Sequence, residues 1–249
     1  MRGLFAGALA GAAALSGSPA VAQLSPQKPT GSILPRDPVA IDPDVVRRMQ
    51  KVFGACIYAR HRKQADLFLR HSEGNEADFE AIGFGSAQIQ TRLSLPDCLG
   101  RAMTTMQSEV QLSFELSTLR SVLAEEAYLA RHSAPLTIAE GATQAVSGRY
   151  FFSDNPADAG REVARFTDCV TFQAPVEADR LLRTRPASGE ENSASQALVP
   201  AMSGCLFEGQ EVNLTVPGIR AIVADGLWAR SVLGGTAPVP ASAQAEPGL

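Results

Sequence analysis

The chain has 249 residues, a formal net charge of −4 at pH 7, 45% hydrophobic residues and 6% aromatic ones, with a single Trp. This acidic balance leaves no footprint for nucleic acid, whose binding rests on Lys and Arg neutralising phosphates. With so few aromatic residues, the core has to be built largely from Leu, Val, Ile and Ala.

The first 22 residues, MRGLFAGALAGAAALSGSPAVA, place Arg2 before an apolar run from Leu4 to Leu15 and end on Ala20-Val21-Ala22. That pattern predicts a secretory signal peptide cleaved before Gln23 and a periplasmic or secreted protein. The apolar run is too short to cross a bilayer, so no transmembrane segment is expected in the mature chain. Residues 23–41, rich in Pro and polar residues, read as a flexible linker.

From residue 42 the chain reads as two copies of one unit. VFGACIYARHRKQADLFLR around Cys56 matches RFTDCVTFQAPVEADRLLR around Cys169, 113 positions later. The offset shrinks to 107 at Cys98-Leu99 over Cys205-Leu206. It is 102 at EVQLSF (109–114) over EVNLTV (211–216), and 100 at LRSVLAEEAY over IRAIVADGLW. An ordered series of this kind is the mark of a duplication with small length changes. It sets repeat unit 1 at 42–131, a connector at 132–154, repeat unit 2 at 155–231 and a disordered tail at 232–249.

The local signals make the fold mainly α: two tandem pseudo-symmetric helical units, each with one short strand. Asp42-Pro43 and Asn155-Pro156 pair a capping side chain with a proline at the first helical position. Val45, Val46, Met49, Val52, Phe53 and Cys56 recur at helical spacing. A second helix carries Asp66 and Arg70, or Asp179 and Arg183, at i and i+4, where a surface ion pair would form. A third runs in unit 2 from Ser188-Gly189-Glu190-Glu191, a capping-box pattern, to Gly204, placed as a left-handed cap. EVQLSF and EVNLTV alternate with a period of two and read as strands that could form a ribbon between the units. Ser117 or Thr215 then starts the last helix. Tyr150-Phe151-Phe152 in the connector reads as a core plug against unit 2.

An even cysteine count in an exported chain predicts two disulfides among Cys56, Cys98, Cys169 and Cys205. A zinc site would take thiolates in close pairs, and the nearest two cysteines stand 36 residues apart. Spacing alone leaves three pairings open. The repeat favours Cys56–Cys98 and Cys169–Cys205, each loop being worth roughly 4 kcal/mol in the chain-entropy model. Crossed pairing remains open if the units are intertwined.

Chemistry is hard to find in this sequence. Gly83-Phe84-Gly85-Ser86-Ala87 departs from the nucleophile-elbow pattern and reads as a loop or helix start. No phosphate-binding, dinucleotide or H-E-x-x-H motif is present, so no cofactor and no catalytic residue is assigned. His61, His71 and Glu73 form a weak candidate polar or metal site. Arg60, Arg62, Lys63 and Arg70 surround them and disfavour a cation, so solvated histidines are the expected reading. Polar residues repeated in both units include Asp66/Asp179, Glu109/Glu211, Arg120/Arg220 and Glu125/Asp225. Chemistry needs different groups in different roles, so these are expected to hold caps, salt bridges or the contact between units. The extra residues within 72–90 of unit 1 are asymmetric and are the better place for a pocket.

With the leader, the Cys…Cys-Leu pair and the EV-x-L…LR-x-x-x-A-E/D tail in view, the chain resembles uncharacterised exported, duplicated proteins of GC-rich Gram-negative bacteria. The resemblance covers roughly 45–131 and 155–231 and carries over no functional residue. The function it leaves in view is a non-catalytic binding or structural module, with an envelope protein or another envelope component as partner. A hydrolase with a site between the units, or a small-ligand binder using an apolar cleft between them, are the alternatives.

Overall fold

A computed structural model of the chain describes residues 42–106, 115–155, 159–206 and 214–234. Helix α1 (Pro43–Arg70) starts where Asp42 accepts a hydrogen bond from the Asp44 amide at 2.9 Å, with Pro43 in its first turn. It joins the first and second expected helices through a kink at His61 (φ −128°, ψ 40°). The second half breaks at the matching position, 113 residues on: Ala174 (φ −134°, ψ 58°) separates α6 (Ala159–Gln173) from α7 (Pro175–Arg183). Pro175 cannot donate to the ladder of α6, so there the break is complete.

Between the first cysteine helix and the second, the first half inserts a hairpin. Strands β1 (Ser72–Glu73) and β2 (Glu76–Ala77) pair antiparallel, Ser72 opposite Ala77 and Glu73 opposite Glu76. Gly74, at φ +51°, opens the two-residue turn. Short helices α2 (Phe79–Ile82) and α3 (Ile89–Arg92) follow, with a 3-10 turn at Ser86–Gln88 between them, and then α4 (Leu95–Met106). Gly83, at φ +81°, caps α2, and Ser86 belongs to the 3-10 turn.

The described ribbon is therefore this hairpin within the first half. Of the expected strands, 109–114 and 211–213 lie outside the described residues, and Val216 already opens a helix. The expected third helix of the second half is two: α8 (Gly189–Ala197) and α9 (Val199–Gly204). Pro200 in the first turn of α9 lacks the amide that a continuous helix would need. Gly204 consequently lies inside α9 and makes no left-handed cap. Helices α5 (Leu116–Leu129) and α10 (Val216–Val232) close the halves, and Thr215 caps α10 through the Gly218 amide.

Helices α5 and α10 pack on each other at the centre. Helix α1 lies against α5 and α4, while α6 and α7 lie against α10. Trp228, Tyr128, Phe53, Phe68 and Met49 are the largest buried side chains. Both bridges close within their own half, Cys56–Cys98 and Cys169–Cys205. Among the described residues no helix is long and apolar enough to cross a membrane.

Close helix crossings need a residue without a side chain, and each half has one. A Cβ on Gly54 would stand 2.9 Å from Val122 Cβ, and one on Gly226 would stand 2.6 Å from Thr171 Cγ2 and 2.8 Å from Thr167 Cγ2. Thr171 is held in place by its hydroxyl, which donates to the Thr167 carbonyl at 2.9 Å. Gly226→Val is expected to destabilise by about 3 kcal/mol, read as a lower urea midpoint, because overpacking outweighs any gain in helix propensity.

Candidate functional site

The arginines repeated 100 positions apart make a reciprocal contact. Arg120 of α5 donates Nε and Nη2 to Asp225 of α10 at 3.0 and 2.6 Å. Arg220 of α10 donates Nε and Nη2 to Glu125 of α5 at 2.8 and 2.7 Å. Each arginine also reaches carbonyls that end the second helical segment of its own half. Arg120 takes Leu69 and Ser72, both at 2.6 Å, and Arg220 takes Leu182 at 2.8 Å and Leu181 at 3.1 Å. One guanidinium thus ties a helix end in its own half to an acid in the other.

The two acids Asp66 and Asp179 each take an arginine and a tyrosine, though from positions that do not correspond. Asp66 accepts from Arg131 at 2.6 Å and Tyr58 at 3.2 Å; Asp179 accepts from Arg183 at 2.7 Å and Tyr128 at 2.8 Å. The expected Asp66–Arg70 surface pair is replaced by Asp66–Arg131, because α5 brings Arg131 across α1. Burial, then the Asp179 carboxylate, pushes the Tyr128 phenol well above its ordinary range.

On either side of the α5/α10 pair lies a pocket, and the two are lined by corresponding positions. The smaller, about 70 Å³, is bounded by Arg47, Gln50, Lys51, Glu125, Pro186 and Arg220. The larger, about 590 Å³, has Gly160, Val163, Ala164, Asp225, Glu73 and Arg120 at those places. Three long polar side chains fill the first pocket. Their counterparts, 113 positions on, are glycine, valine and alanine, so the second stays open as an apolar cleft.

In the filled pocket Lys51 Nζ stands 2.5 Å from Glu125 and 2.6 Å from Glu126. Burial raises the Glu126 carboxyl above its ordinary value. For Glu125, burial acts the same way, but Arg220 and Lys51 outweigh it and hold the carboxyl low. Glu191, fully buried, joins this cluster through Arg47 and through Arg220 at 3.2 Å. It departs from the expected capping box, since its carboxylate accepts from the Ala187 amide at 2.7 Å. Ser188 does cap α8, accepting from the Glu191 amide at 3.2 Å.

In the open cleft the place of Lys51 is taken from the connector. Arg149 donates to Asp225 at 2.6 Å and to Asp168 at 2.5 and 3.0 Å, and the Val146 amide donates to Asp168 at 2.7 Å. Burial disfavours the Asp225 charge, yet Arg120 and Arg149 hold its carboxyl down to about 2. With these pairs made, the guanidiniums of the cleft are occupied inward. Its apolar lining includes Phe151, Phe152, Val163, Ile222 and Leu233, and its polar lining includes Glu73, Asn75 and Glu76. Phe152 is 59% exposed, so the expected aromatic plug is a cleft wall; the Arg161 guanidinium sits 4.1 Å from the Phe151 ring centre.

The candidate histidine site is not assembled. His61 Nε2 lies 2.9 Å from Ser94 Oγ, His71 meets the Tyr150 ring edge-on at 6.3 Å, and Glu73 Oε2 accepts from the Phe152 amide at 2.8 Å. Among the described residues no three His, Cys, Asp or Glu side chains are grouped to hold a metal ion. Glu73 is the member of that set that reaches the cleft, within the asymmetric 72–90 segment. Arg149 and Asp168 could not be ranked from sequence, since one lies in a connector and the other beside a cysteine on a helix.

Comparison of the chain with protein-family models, with curated proteins and with solved structures finds no match.

Proposed function

We propose that this is an exported, non-catalytic binding protein, built from two copies of one helical unit, whose apolar cleft beside α10 takes up a small ligand. The observation that carries the reading is the contrast between corresponding pockets, one filled by Arg47, Gln50 and Lys51 and the other left open by Gly160, Val163 and Ala164. A cleft of about 590 Å³ has the size of a small-molecule site. The leader and the two disulfides support export to the periplasm or beyond, in line with the resemblance to exported duplicated proteins.

A hydrolytic reading would draw on Glu125 and Glu126, whose acidities are pushed apart. Lys51 bridges both carboxylates, and about 70 Å³ beside them has room for a few water molecules. The geometry therefore supports binding over hydrolysis.

The single Trp of the chain, Trp228, lines the cleft and reports on it. Octyl glucoside, below its micellar concentration, is expected to shift Trp228 emission saturably. Val163→Gln with Ala164→Met restores the bulk of Gln50 and Lys51 without charge, and should abolish the shift while leaving the unfolding free energy, from urea denaturation, within about 1 kcal/mol of the parent. An emission that does not respond, or responds equally in the filled variant, would refute the reading.

A further inference from the structure

Resting on the reading of the cleft as a binding site, we infer that its ligand is a cationic amphiphile, with an ammonium head at Glu73 and Glu76 and an apolar body against Val163, Ile222 and Leu233. The hairpin register sets Glu73 directly opposite Glu76. Like charges in that position destabilise a strand pair unless something compensates them. Among the described residues neither acid forms an ion pair, although every other carboxylate lining the two pockets does. Glu73 Oε1 is buried with no hydrogen-bond partner among the described residues, a costly state for a carboxylate oxygen.

Tyr150, Phe151 and Phe152 line the same cleft as these acids. The Phe152 amide donates to Glu73, which pins the Tyr150–Phe152 wall to the hairpin, and Phe152 leaves its ring in solvent. Burial and the charges of Asp78, Glu73 and Glu76 all raise the Tyr150 phenol. Carboxylates next to aromatic faces are the chemistry that recognises ammonium groups. An anionic head has no comparable place, because Arg120 and Arg149 already direct their donors to Asp225, Asp168 and backbone carbonyls. Deeper in, Trp228 is 1% exposed and its Nε1 has no acceptor among the described residues, so the ligand body can carry one acceptor there.

The test compares three amphiphiles of one chain length by Trp228 emission: octyltrimethylammonium, octyl glucoside and octanoate. Octyltrimethylammonium is expected to bind at least about tenfold more tightly than either of the others, a difference of about 1.4 kcal/mol. Glu73→Gln with Glu76→Gln keeps an acceptor for the Phe152 amide and should bring the three to within about threefold of one another. Equal binding by all three, tighter octanoate binding, or a preference that survives the double substitution overturns the cationic assignment while the binding cleft stands. No response to any of the three overturns both.

Discussion

Arg220→Ala is expected to destabilise the protein by about 3 kcal/mol, because it leaves the buried Glu125 with Lys51 alone and takes one partner from the fully buried Glu191. Arg220 and Glu125 have side chains 8% and 7% exposed, and their two hydrogen bonds run parallel at 2.7 and 2.8 Å. Removing the guanidinium also takes a donor from the Leu182 carbonyl at the end of α7, while Leu181 keeps the Thr184 hydroxyl and amide. Arg120→Ala should cost less, about 2–3 kcal/mol. Each acid keeps one cation, Arg149 or Lys51, but Asp225 is 22% exposed against 7% for Glu125, so water screens its loss better. Urea denaturation of both variants gives the order directly. A double-mutant cycle of Arg220→Ala with Glu125→Ala should show coupling of about 1–3 kcal/mol, and additive losses would remove the pair from the account.

Reduction of both disulfides is expected to abolish cooperative unfolding at 37 °C. The bridges span 42 and 36 residues, each worth roughly 4 kcal/mol in the chain-entropy model. Together they approach the roughly 5–15 kcal/mol that is the whole net stability of a typical domain. Replacing Cys169 and Cys205 by Ala should therefore lower stability by about 2–5 kcal/mol and leave the first half's bridge in place. Peptide mapping without reductant should return Cys56 joined to Cys98 and Cys169 joined to Cys205. A Cys56–Cys169 peptide would contradict the closure of each half on itself.

Reading along the chain was most reliable where one residue acts alone on its own backbone. Asp42, Ser188 and Thr215 cap the helices that their side chains predict, and the cysteines pair within halves as the repeat favours. It was least reliable at ends set by a neighbouring element. Pro200 divides a helix that the Ser188 and Gly204 signals would join, and Glu191 leaves its cap for Arg220 because α10 passes beside it. Arg131 captures Asp66 for the same reason, across 65 positions of sequence.

The candidate site was legible in part. The asymmetry of residues 72–90 marks the segment that supplies Glu73 and Glu76, whereas the triplet Tyr150-Phe151-Phe152 has the pattern of a core plug and lines the cleft instead. Whether an aromatic ring plugs a core or walls a cleft depends on the bulk of the other lining residues, here Gly160, Val163 and Ala164 of α6.

The amino-acid sequence by itself determined that the chain is mainly helical and that Asp42, Ser188 and Thr215 cap helices, because these follow from side chains acting within a few residues; it favoured, without deciding, the pairing of the cysteines. Only the tertiary structure decided that Arg120 and Arg220 cross to each other's half, that Glu125 and Glu126 are clamped by Lys51, and that one of two corresponding pockets is open. Those outcomes depend on which side chains from distant segments occupy the same volume, a quantity that no local pattern encodes.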